Sequence, residues 1–161
     1  MRPIFFVVPI VALSLFAQAQ SPQPTTKGVR VNQIAKGEFV VKLLPLGIEG
    51  LAEDSKIGRM SINKSVSGDL IATTAGQMLS AGTEVRGSAG YVAIEKVDGV
   101  LNGKKGTFVL QHTGSVNKGT PSLSVTVVPD SGTGELVGLV GEFNIIISGG
   151  KHSYEFKYTL P

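Results

Sequence analysis

A glycine pair near the end of the chain, Gly149-Gly150, constrains the fold more than any other feature, because the residues flanking it sort cleanly by face. Two successive glycines suit a two-residue primed turn, in which both central residues need positive φ. Pairing outward from Ser148 and Lys151 sets Ile147 against His152, Ile145 against Tyr154, Phe143 against Phe156 and Gly141 against Tyr158. The other face holds Asn144 with Glu155, and Glu142 with Lys157 as a favourable cross-strand charge pair. A slip of one residue would put Phe143 and Phe156 on opposite faces, so the apolar face fixes the register.

A second hairpin surrounds Gly103. With Gly103-Lys104 as its turn, Leu101 faces Gly106, Val97 faces Leu110, Glu95 meets His112 and Tyr91 meets Val116. A three-residue turn would set Glu95 against Gln111 and spoil the apolar face, so the first register is preferred. In both hairpins the tyrosines, the histidines and Glu95 land on faces that otherwise read as apolar. That is the pattern of a closed, mostly greasy interior carrying a few titratable groups.

The remaining text adds strands. Gly37 to Leu44 alternates Phe39, Val41 and Leu43 against Glu38, Val40 and Lys42. Leu46 to Ile57 has no strong period and reads as a loop. Arg59 to Val66 puts Met60, Ile62, Lys64 and Val66 on one side, and Gly68-Asp69 bends it into Leu70 to Leu79. Ser122 to Val128 alternates again, and Pro129-Asp130-Ser131-Gly132 is a turn with Gly132 free to go left-handed. No segment sustains a helical stripe. The count, about eight strands, suffices to close a small all-β antiparallel barrel holding side chains or one ligand.

The chain begins differently. Arg2, the apolar run Ile4 to Phe16 and the small residues of Ala17-Gln18-Ala19 read as a signal peptide over residues 1–19. The run is short for a membrane span, so stable insertion after cleavage is not expected. Residues 20–35 read as a flexible tether, rich in Pro, Thr and polar residues, and 36–161 as one barrel domain. Export implies a periplasmic or extracellular protein. With no cysteine it has neither disulfides nor thiolate chemistry. The formal charge of +3 comes from Arg2, Lys27 and Arg30, and charges balance from Lys36 onward. No basic stripe interleaved with aromatics is present, so nucleic acid is not an expected partner.

Five segments carry a resemblance: Gly58-Arg-Met-Ser-Ile-Asn-Lys64, Gly87-Ser-Ala-Gly-Tyr-Val-Ala-Ile-Glu95, Phe108-Val-Leu-Gln-His112, Ser124-Val-Thr-Val-Val-Pro-Asp-Ser-Gly-Thr-Gly-Glu-Leu136 and Lys151-His-Ser-Tyr-Glu-Phe156. Together they resemble the domain of unknown function 3224 family over essentially Lys36 to Leu160. The resemblance implies an eight-stranded antiparallel barrel of the allene oxide cyclase-like type. It implies no reaction and no catalytic residues, and a shared barrel is no evidence of shared chemistry.

The candidate pocket residues are Glu95, His112, Tyr91, Tyr154, Tyr158 and Lys64. A carboxylate beside an imidazole can shuttle a proton, or it can be a structural pair satisfying itself in a core. A buried Glu95 needs a partner, and Lys64 is a candidate; alternatively Lys64 leads its charge to water at a barrel rim. The tyrosines offer apolar bodies with hydroxyl tips, able to orient a ligand or to bond the backbone. Two histidines on separate hairpins make no metal signature, and no cofactor motif is present. The expectation is a barrel binding a small apolar or amphipathic molecule. The alternatives are an isomerase or cyclase using the same pocket for proton transfer, and a structural barrel with a filled core.

Overall fold

The computed structural model describes residues 31–52 and 55–161; the expected signal peptide and the first part of the tether lie outside them. Eight antiparallel strands follow one another around a closed barrel. They are β1 (Val31–Leu46), β2 (Ile57–Gly68), β3 (Leu70–Gly82), β4 (Ala89–Leu101), β5 (Lys104–Asn117), β6 (Thr120–Val127), β7 (Val140–Ser148) and β8 (Lys151–Leu160). The barrel closes where β8 pairs with β1, from Val31 opposite Leu160 to Phe39 opposite His152. The β6–β7 seam is the loosest: only Thr126 opposite Glu142 is paired.

The last hairpin has the expected register throughout, with Gly149 and Gly150 both at positive φ. The β4–β5 register differs from expectation by two residues. Asn102-Gly103 makes the turn, so Leu101 faces Lys104, Glu95 faces Leu110 and Ala93 faces His112. The reason is that both turn residues need positive φ, which Asn102 (46°) and Gly103 (83°) adopt, asparagine and glycine being the pair most favoured in such a turn. A shift of two preserves every face, so Glu95 and His112 still both point inward. Within the Pro129–Gly132 turn the left-handed residue is Asp130 rather than Gly132, since a short polar side chain tolerates that conformation.

The boundary placed at residue 36 also needs correction. Val31 to Ala35 already belongs to β1 and pairs with β8, and Ala35 has no exposed surface. Polar Asn32 and Gln33 give this stretch a tether-like composition, while its strand pairing comes from a partner more than a hundred residues away.

Two ends of the barrel differ. One carries the β2–β3 and β4–β5 turns and the long β6–β7 connection, whose short 3-10 turn (Gly134–Leu136) brings in Leu136. Leu136 and Leu139 plug this end together with Leu70, Leu101 and Leu160. Above the plug lies an aromatic stack: Phe156 meets Phe108, Phe143 and Tyr158 at centroid distances of 5.8, 5.6 and 5.1 Å. This half is filled. Toward the opposite end the inward positions open to solvent: Leu43 is 43%, Leu123 44% and Ile147 68% exposed. They continue the inward alternation of Phe39 and Val41, of Val125, and of Phe143 and Ile145. The barrel therefore has a closed base and an open mouth.

Candidate functional site

A charged layer separates the filled base from the mouth. Glu95 on β4 is fully buried, and its Oε2 accepts hydrogen bonds from Lys64 Nζ at 2.7 Å and His112 Nε2 at 3.0 Å. Its Oε1 accepts from the Thr74 hydroxyl, which in turn accepts from the Lys64 backbone N–H at 3.0 Å. Lys64 Nζ also lies 5.0 Å from the centre of the Phe39 ring, a cation–π contact. The four residues come from β2, β3, β4 and β5, on inward positions of adjacent strands. Gly76 faces Glu95 across β3 and β4, and a Cβ there would lie 2.3 Å from the Ile94 carbonyl oxygen. Its missing side chain lets the two strands close over the carboxylate.

Burial is the largest influence on the Glu95 carboxyl and by itself would raise its pKa. The hydrogen bond from His112, the charge and hydrogen bond of Lys64 and the Thr74 hydroxyl together outweigh it, and the pKa falls to about 2. Glu95 is thus a fixed negative charge with each oxygen engaged. Among the described residues no buried side-chain polar atom lacks a hydrogen-bond partner.

The six expected pocket residues separate into two groups. Glu95, His112 and Lys64 come together, with Lys64 as the buried partner and not at the rim; Tyr91 lies nearby on the mouth side. Tyr154 and Tyr158 point inward but are occupied within the base. The Tyr154 hydroxyl accepts from Leu70 N–H at 3.0 Å and donates to the Ser67 carbonyl at 3.2 Å. The Tyr158 hydroxyl accepts from Asn102 Nδ2 and donates to Gln33 Oε1, both at 2.9 Å. Burial, first of all, holds the Tyr154 phenol above its ordinary pKa. His152 sits near the mouth with its ring 5.2 Å from Phe39. Thr74 is the residue that sequence reasoning missed; the alternation of Leu70, Ala72 and Thr74 along β3 is the signal that marks it as inward.

Above the charged layer is a hollow of about 250 Å³ lined by Met78, Ser80, Tyr91, Val116, Pro121 and Leu123. Ser80, Tyr91, Gly114 and Leu123 lie opposite one another in register, one inward step beyond the row holding Ala93, His112 and Val125. Two of the three larger hollows, of 480 and 510 Å³, are furrows on the outer wall. The first runs between Arg59, Gln77, Leu79 and Ile94; His112 borders it only through its strand, since its side chain points the other way. Among the described residues no three His, Asp or Glu side chains gather as a metal site. No helix among them is long and apolar enough to cross a membrane.

Comparison with known proteins agrees with this architecture. The family model described as protein of unknown function (DUF3224) matches residues 35–158. The chain is similar to a crystal structure of a protein with unknown function from the DUF3224 family of Shewanella oneidensis MR-1. The two are 45% identical, with 81% of this chain and 98% of that one covered and a TM-score of 0.77. No curated protein matches the chain. With the family model spanning most of the barrel and a solved relative at that identity, the chain belongs to the DUF3224 family.

Proposed function

We propose that this protein is an exported barrel that holds one small apolar or amphipathic molecule in its open mouth. The observation that carries the reading is the change along the inward positions, buried below the Glu95 layer and exposed above it, around a hollow walled by Met78, Val116, Pro121 and Leu123. Exposed apolar surface on the concave side of a barrel costs solvation free energy that a ligand would recover. The Lys64–Glu95–His112 cluster serves as a rigid floor that keeps the hollow from collapsing into the core. Export rests on the leader read in residues 1–19.

A proton-transfer role for the same cluster has less support. Glu95 touches no open space, and a carboxylate with a pKa near 2 is a poor base at neutral pH, where efficient general bases titrate near 7. The intact mass of protein purified from its own host under native conditions tests the proposal. The expected mass is a chain starting at Gln20 plus a small molecule, with the small molecule missing from a Leu123→Trp variant whose indole fills the hollow. A chain retaining Met1, or a ligand held equally by the variant, counts against it.

A further inference from the structure

We infer that the mouth selects neutral molecules that are apolar except for one hydrogen-bond acceptor, which Tyr91 meets with its hydroxyl proton; the inference rests on the mouth being a binding site. The hollow, at about 250 Å³, is smaller than the roughly 300–1,000 Å³ of sites for drug-sized ligands, so its occupant is small. Hydrocarbon and thioether groups of Met78, Val116, Pro121 and Leu123 make most of the wall, which disfavours any charged ligand by desolvation.

Tyr91 differs from the other two tyrosines. Those spend both hydrogen-bonding capacities of their hydroxyls inside the base. The Tyr91 hydroxyl has no partner among the described residues, and since no buried polar atom is left unpaired, it reaches solvent in the mouth. Its ring is pinned. Gly114 lies opposite it in register, and a Cβ on Gly114 would come within 2.1 Å of Tyr91 Cε1, so the ring occupies the space a side chain would take. A fixed ring with an unclaimed hydroxyl is a preorganised hydrogen-bonding group.

Electrostatics decide which half of that hydroxyl is used. Burial first, and then the negative charge of Glu95, hold the Tyr91 phenol above its ordinary pKa, so it keeps its proton and can donate. The same carboxylate repels an anionic acceptor placed on Tyr91. Lys64 compensates part of that charge, but both it and His112 direct N–H groups to Glu95 Oε2, so the cost of stripping water from an anion in this apolar wall goes unrepaid. A carbonyl or ether oxygen fits these conditions; a carboxylate does not.

Three probes of similar shape test the inference on the chain from Gln20 onward: acetophenone, ethylbenzene and benzoate, titrated calorimetrically against wild type, Tyr91→Phe and Leu123→Trp. Wild type should bind acetophenone roughly fivefold more tightly than ethylbenzene, the worth of one neutral hydrogen bond, and benzoate most weakly. Tyr91→Phe should bind acetophenone and ethylbenzene alike, and Leu123→Trp should lose both. Equal affinities in wild type, tight benzoate binding, or a preference surviving Tyr91→Phe would overturn the assignment to Tyr91 while leaving the mouth as a site. Neutral probes that fail to bind wild type, or that bind Leu123→Trp unchanged, would overturn the site as well.

Discussion

Glu95 has no exposed surface, and an unpaired carboxylate in that position would be protonated or would unfold its surroundings. Lys64, His112 and Thr74 reverse this by giving it hydrogen bonds and a compensating charge. The consequence is a definite pH dependence. The folded pKa of about 2 lies below the ordinary 4.5, so the cluster's stabilisation is complete above pH 4.5 and is lost as pH falls toward 2. The loss amounts to about 3 kcal/mol at 1.36 kcal/mol per pKa unit. Glu155, lowered chiefly by its hydrogen bond and charge contact with Lys36, changes in the same direction, so the comparison must be with a variant that keeps it. Glu95→Gln should be about 3 kcal/mol less stable than wild type at pH 7 in urea unfolding, and the gap should close between pH 4.5 and 2. Parallel profiles would mean that Glu95 is not ionised in the fold. Sequence alternation showed that Lys64 and Glu95 face inward, but not that they meet. Whether a lysine reaches the rim or an acid depends on how far along the barrel axis each residue sits, and strand tilt and stagger set that height. The same ignorance of height made Tyr91, Tyr154 and Tyr158 look equivalent, although only the first borders the mouth.

Turn chemistry decided which hairpins were legible. Gly149-Gly150 offers no competing two-residue turn, and β7–β8 pairs as the sequence indicates. Around Gly103 two dipeptides compete, Asn102-Gly103 and Gly103-Lys104, and the apolar face cannot choose between registers two residues apart because both keep it intact. Backbone conformation does choose. The left-handed residues are Asn102 and Gly103, while Lys104 is an ordinary exposed strand residue opposite Leu101. Gly103→Val should therefore cost about 1–2 kcal/mol, the strain of a side chain at positive φ. Lys104→Val should leave stability within about 0.5 kcal/mol, as expected for an exposed strand position. Denaturant midpoints at constant m-value compare the two. Equal losses would place the turn on Gly103-Lys104 after all.

A closed barrel is only as strong as its weakest seams, and here the β6–β7 seam contributes a single paired position. Integrity therefore depends heavily on β1 meeting β8. Five of the nine pairs in that seam involve Val31 to Ala35, the stretch whose composition reads as tether. Its side chains say little because only Ala35 is buried and Ala35 is small. Its contribution is backbone pairing plus the Gln33 Oε1 that accepts from Tyr158, neither of which leaves a hydrophobic signature in a single sequence. A protein beginning at Lys36 would uncover the inner side of β8 beside Phe156 and Tyr158, next to a barrel already loosely closed elsewhere. Losing the Tyr158 bond and the cover over the aromatic stack should cost at least ~2 kcal/mol. For a domain of this size that lowers Tm by about 5–10 °C relative to a protein beginning at Val31. Scanning calorimetry of the two proteins measures the difference directly. Identical melting would mean that β1 effectively starts at Lys36 and that the remaining β1–β8 pairs close the barrel unaided. A lower Tm with the transition still cooperative would show that the filled base depends on its first strand.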